Sequence, residues 1–188
     1  MPNPTRTNLL LEAAKAFCDS FAQKKPIEEI LSHFSSSSSS SSGREDEDED
    51  GDSDGSSRIL VHEHGLAQLA PFLGRDYRGR EGARRYFETV AGYLSYEDMR
   101  FVEFVVDGGD DDDEEEEEEG ERGKRGGKVA DLSSEDMFWE SGWTETKQSW
   151  DETFVYVLAF DGEAKLERYE VWADSGAAYL ASRGELRG

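Results

Sequence analysis

Three observations predict an α+β fold. In the first part of the chain, apolar residues recur at the three- and four-residue spacing of amphipathic helices. Later segments are rich in aromatic and β-branched residues, as strands are. Between Trp150 and Leu180, two strand-like runs flank Asp161-Gly162, a tight-turn signal, so they read as adjacent antiparallel strands. This order favours helices packed on one face of a curved antiparallel sheet.

The elements follow in turn. Leu10, Ala13, Ala14, Phe17 and Phe21 mark one face of a first helix. Pro26 suits the first turn of a second, with Ile27, Ile30, Leu31 and Phe34 as its apolar side. Ile59 to His64 reads as a short strand, followed by an irregular stretch through Pro71 and Gly74. Ala83, Phe87, Val90, Ala91 and Leu94 mark a third helix. Tyr96 to Val106, Val129 to Leu132, Met137 to Trp143, Asp151 to Phe160 and Lys165 to Ala173 read as strands. Ala177 to Ala181 forms a terminal helical turn.

A chain of 188 residues suggests one domain. Ser35 to Arg58 and Asp107 to Gly127 contain no aliphatic or aromatic residue. They have no apolar surface to offset the entropy of ordering, so they are expected to be disordered insertions. Glu45 to Asp54 holds eight acids and Asp107 to Glu121 twelve, with no base in either. Most of the net charge of −23 therefore lies in these tracts, and the rest is only mildly acidic. That balance argues against nucleic-acid binding, which needs a positive footprint. The tracts read either as tolerated loops or as an acidic tail for a basic partner.

Cys18 is the single cysteine, so no internal disulfide forms, and it reads as a small packing residue on the first helix. No run approaches the length of a membrane span, and the N-terminal stretch lacks a cleavable leader pattern. A reducing compartment, the cytoplasm or the nucleus, fits best. There is no phosphate loop, dinucleotide fingerprint or Ser-His-Asp pattern.

Candidate site residues cluster in and around the last strand. Its side chains alternate between two faces, so Leu166, Arg168, Glu170, Trp172 and Asp174 share one of them. If that face lines a pocket, Asp174 at the strand exit is a carboxylate aimed into it, with a pKa raised by apolar neighbours. Such a group can move a proton next to a carbonyl. The alternative is that Arg168 pairs with Glu170 and Asp174 caps the closing turn. His62 and His64 point to one side of their strand. Either His64 couples with Asp174 as an acid/base pair, or the two imidazoles are wall and rim. His-X-His supplies only two ligands, and no metal site is assigned. Phe87, Tyr93, Trp143 and Trp172 are aromatic lining for a flat ligand, or else core and dimer interface.

Three local patterns carry a resemblance. They are VHEHG at Val61 to Gly65, GRDYRGREGARRYFETV at Gly74 to Val90 and DGEAKLERYEVWAD at Asp161 to Asp174. In this order they resemble the SnoaL-like branch of the nuclear-transport-factor-2-like superfamily, across much of the chain outside the tracts. The resemblance implies a cone-shaped α+β fold, with three helices from the N-terminal half on the sheet and an apolar cavity between. It implies a small, largely apolar or polyketide-like ligand, no cofactor, and a homodimer formed through the sheet. It covers binding modules as well as cofactor-free cyclases, isomerases and dehydratases. By place, Asp174 matches the acid/base residue of the cyclases.

Overall fold

Thr5 opens the first helix by accepting a hydrogen bond from the Asn8 N–H at 3.3 Å through its side-chain oxygen. That helix, α1 (Arg6–Ala22), buries Leu10, Ala14, Phe17, Cys18 and Phe21 along one face. The computed structural model describes residues 5–36, 58–108, 128–132 and 140–187. A short turn containing Lys24 and Lys25 leads to α2 (Ile27–Ser32), with Pro26 just ahead of the first helical residue. The chain then runs through β1 (Leu60–Glu63), β2 (Asp76–Arg78), α3 (Gly79–Tyr93), β3 (Leu94–Glu97) and β4 (Phe104–Asp107). It continues through β5 (Lys128–Leu132), β6 (Glu140–Trp143), β7 (Ser149–Asp151), β8 (Val155–Phe160), β9 (Leu166–Trp172) and α4 (Ser175–Ser182).

Six strands form the main sheet in the order β2-β1-β9-β8-β5-β4, and β3-β6-β7 form a smaller one. All pairs are antiparallel except β1 with β9, which run parallel from Leu60 opposite Arg168 to Glu63 opposite Val171. The wholly antiparallel sheet expected from sequence thus has one parallel seam, where the strand after the first two helices meets the last strand. Phe17, Phe34, Phe87 and Tyr169 are buried between sheet and helices.

The elements differ from expectation at four places. The segment from Tyr96 to Val106 is two strands in different sheets, because Asp98 takes the left-handed conformation (φ 53°) and turns the chain. Asp151 to Phe160 is likewise divided between β7 and β8. β2 lies in the stretch read as irregular, and α4 makes a fourth helix where one turn was expected.

The ends of the two tracts belong to the fold. The Ser35 N–H donates to the Leu166 carbonyl at 2.9 Å, and Asp107 pairs with Lys128 in the β4–β5 ladder. The expectation of disorder concerns 37–57 and 109–127, which lie outside the described residues. Among the described residues, no helix is long and apolar enough to cross a membrane.

Candidate functional site

Strand parity puts chemistry on both faces of the main sheet. In β1, Val61 and Glu63 point toward the helices, while His62 and His64 point away. Glu63 is 6 % exposed, and its carboxylate accepts a hydrogen bond from the Tyr86 hydroxyl of α3 at 2.6 Å. Burial pushes the Glu63 carboxyl up to about 7, the Tyr86 bond opposes that rise and the nearby Glu152 adds to it. Burial also raises Tyr86, with the Glu63 charge acting in the same direction. Tyr169 and Tyr156 complete a phenol cluster, their ring centroids 4.9 Å apart and edge to face.

These rings fill the middle of the space between sheet and helices. Tyr169 has Phe17 at 5.3 Å and a stacked Phe87 at 5.8 Å. Among the described residues, open space lies to one side, at the turn between α1 and α2. There a cavity of about 380 Å³ is lined by Phe21, Ile27, Ile30, Phe87, Val90 and Leu94, with Tyr96, Lys24 and Lys25 also on its wall. Tyr96 stacks on Phe21 at 5.2 Å and donates its hydroxyl to the Phe21 carbonyl at 2.8 Å. Burial pushes that phenol up to about 12.

A second buried carboxyl, Glu152, lies between β7 and β8. It accepts from the Asp174 N–H at 2.9 Å. Burial pushes it up to about 7, while hydrogen bonds from Ser141 and from the Asp174 backbone oppose the rise.

The outer face of the sheet carries a polar and aromatic set. The His64 ring stacks on Trp172 with centroids 4.0 Å apart and 9° between planes, and its Nε2 lies 3.3 Å from Glu170 Oε2. Arg168 pairs with the other Glu170 oxygen. His62 Nδ1 lies 2.9 Å from Asp76 Oδ1, and Arg78 reaches Asp76 Oδ2 at 2.6 Å. The hydrogen bond from His62 holds Asp76 below the usual carboxylate range, and Arg78 reinforces this against partial burial.

No protein-family model matches the sequence, and no curated protein matches it. Solved structures match almost end to end. A nuclear-transport-factor-2-like protein from Burkholderia xenovorans superposes with a TM-score of 0.57 at 13% identity, covering 93% of this chain and 96% of its own. The chain has the nuclear-transport-factor-2-like fold. A candidate polyketide cyclase from Xanthomonas campestris superposes with a TM-score of 0.54 at 8% identity, covering 94% and 98%. A ketosteroid isomerase-like protein from Erwinia carotovora atroseptica reaches 0.50 at 9% identity, covering 90% and 96%.

On this nuclear-transport-factor-2-like frame the expected site residues separate. Phe87 lines the cavity. Tyr93 lines a broader depression of about 710 Å³ with Arg75, Tyr77 and Arg85, and its ring lies 5.5 Å from that of buried Trp143. His62, His64, Glu170 and Trp172 all sit on the outer face, not in the cavity. Asp174 is exposed, and its Oδ1 accepts from the Gly176 and Ala177 N–H groups at 3.0 Å, so its carboxylate caps α4. His64 meets Glu170 instead of Asp174.

The expected grouping of the last strand breaks at one place. A register shift between Ala159 and Phe160 leaves an extra residue in β9, which puts Leu166 and Tyr169 on the same face although they are three apart. Tyr169 and Val171 then face the helices, while Arg168, Glu170 and Trp172 face away. Sequence reasoning passed over Glu63, Tyr86, Glu152 and Lys24. The available signal for Glu63 was VHEHG itself, since a residue flanked by two outward histidines points inward with Val61.

Proposed function

We propose that this chain is a SnoaL-like pocket protein that binds a small, largely apolar molecule between α1, α2, α3 and β3. The supporting observation is the 380 Å³ cavity walled by Phe21, Ile27, Ile30, Phe87, Val90 and Leu94. Ligand pockets run from about 300 Å³ upward and are mostly apolar with a few placed polar groups, and this one fits that description at the small end. The candidate polyketide cyclase and the ketosteroid isomerase-like protein lend support, because their names point to small-molecule chemistry on the same fold. The test is saturable binding of a fluorescent apolar probe. Leu94→Trp, which fills half-buried space at the wall, should abolish it; binding that survives the substitution unchanged would refute the location.

A second reading, cofactor-free acid/base catalysis, has its own support in Glu63. A carboxyl titrating near neutrality is suited both to accept and to return a proton at physiological pH. In this reading Glu63 is the base and Tyr86 the hydrogen-bond donor that holds it in place; neither residue lines the 380 Å³ cavity, so the rings packed over Glu63 must part before a substrate reaches it. The substrate would be a carbonyl compound with an acidic neighbouring C–H. Solvent deuterium uptake into such a compound should occur with the native chain and cease in Glu63→Gln. Uptake undiminished in that variant would remove Glu63 as the base.

A further inference from the structure

The cavity is greasy on most sides and cationic at one lip, and the lip has a specific build. Lys24 follows the C-terminal turn of α1 with φ 54°, a left-handed conformation that glycine adopts freely and lysine at a cost of about 1 kcal/mol. Its N–H donates to the Phe21 carbonyl at 2.9 Å, which fixes the turn. Its ammonium sits 5.1 Å from the centroid of Tyr96, a ring of the cavity wall. The other charged lining groups are engaged elsewhere. Lys25 pairs with Glu29 at 3.6 Å, and the exposed Glu88 lies 3.9 Å from Arg84, which also meets Glu28 at 2.5 Å and Glu81 at 3.6 Å. Lys24 is thus the lining cation that meets an aromatic ring and, among the described residues, no carboxylate. A positive lip stands out on a chain whose net charge is −23. A ring face holds the ammonium at the mouth without neutralising it.

We infer that the cavity takes a single-chain amphiphilic monocarboxylate, its tail among Phe21, Ile30, Phe87 and Val90 and its carboxylate at the Lys24 ammonium. This rests on the reading of the hollow as a ligand site and adds the head group. A volume of about 380 Å³ accommodates one medium tail and leaves no room for a two-chain lipid. A neutral molecule of the same shape fills the hollow equally well and gains nothing from the lip. A cationic one is repelled.

Calorimetric titration of the full chain with decanoate and with decanol, which share a tail, tests this. Decanoate should bind up to about fivefold more tightly, the most that an ion pair at an exposed lysine gives. That advantage should fall to roughly nothing in Lys24→Gln, and in half-molar salt, which screens exposed charges beyond about 4 Å. Lys15→Gln, on the exposed side of α1 beside Glu12, should leave it intact. Equal affinities in the native chain, or an advantage that survives Lys24→Gln, would overturn the carboxylate assignment while leaving the cavity reading in place. Failure of both ligands, together with failure of the apolar probe, would overturn the cavity reading and this inference with it.

Discussion

Glu63 on β1 and Tyr86 on α3 meet through a 2.6 Å hydrogen bond in which the phenol donates to a buried carboxylate. The pair joins sheet to helix at the centre of the fold, and it makes stability depend on pH. The Glu63 carboxyl titrates near 7 when folded and near the ordinary glutamate value when unfolded. Between those values the folded chain holds a proton that the unfolded chain has released. The contribution is therefore complete below about pH 4 and is lost as pH rises through 7, with a total on the order of 3 kcal/mol. Glu63→Gln keeps an acceptor for Tyr86 and removes the titration. Urea midpoints measured from pH 4 to 8 should fall less steeply in the variant than in the native chain. His33, whose pKa burial lowers, acts with the opposite sign but is present in both chains and cancels in the comparison. Parallel profiles would show that Glu63 does not titrate in this range.

Asp174 tests whether the last carboxylate is structural. Its two bonds to backbone N–H groups of α4 are the N-cap contacts that asparagine also makes and alanine cannot. Asp174→Ala should cost about 1 kcal/mol, seen as a fall of about 3 °C in Tm for a chain of this size. Asp174→Asn should melt close to the native chain and bind the cavity probe unchanged. Loss of probe binding in Asp174→Asn would return this residue to the site.

Two glycines of α3 should respond in opposite directions. A Cβ on Gly82 would lie 2.8 Å from the Tyr77 carbonyl carbon, so alanine there pushes α3 off β2. Overpacking of this kind costs about 1–3 kcal/mol. A Cβ on Gly92 meets nothing within 4 Å. Gly92→Ala should therefore stabilise the chain by up to about 1 kcal/mol through helix propensity. Thermal melts of the two variants check both signs, and a tolerated Gly82→Ala would mean that the α3–β2 contact yields.

Much of the fold was legible because it is written in local periods. α1 and α3 show as helical spacing, and the β8–β9 pair shows as two alternating runs around Asp161-Gly162. The losses occur where one residue changes the period. Asp98 at φ 53° splits a continuous aromatic run between two sheets, and the extra residue in β9 separates Leu166 from the face it was grouped with. The site was less legible for the same reason. A count of two groups Arg168, Glu170 and Trp172 as the structure does, but adds Leu166, which the bulge turns to the helices, and it does not say which face lines the interior. Glu63 has its partner 23 residues away, on an element with a different period, so no spacing rule links it to Tyr86. The cavity lip depends on the backbone of Lys24, which composition does not report.

The closing pair of the β4–β5 ladder, Asp107 opposite Lys128, gives a direct test of the acidic tract as a tolerated loop. Replacing 108–127 with Asn-Gly connects these residues by a two-residue hairpin turn. Closure entropy rises only logarithmically with loop length, so the shortened chain should be as stable as the native one or slightly more so. Its Tm should not fall, and decanoate binding should be unaltered. A loss of cooperative melting would show that the tract contributes to folding.

Trp172 tests whether a second copy of the chain covers the outer face. The ring is 39% exposed although it stacks on His64, and its strand neighbour Val155 is half-buried beside it. The homodimer expected from the resemblance would place a second copy here, burying the indole against its symmetry equivalent. Trp172→Glu would then bring two carboxylates into the interface close to Glu170, where like charges repel. Sedimentation should show a dimer for the native chain and a monomer for Trp172→Glu. Leu180→Glu, equally exposed on α4, should remain dimeric. A native monomer, or a dimer indifferent to Trp172→Glu, would leave this face to solvent and place any self-association elsewhere.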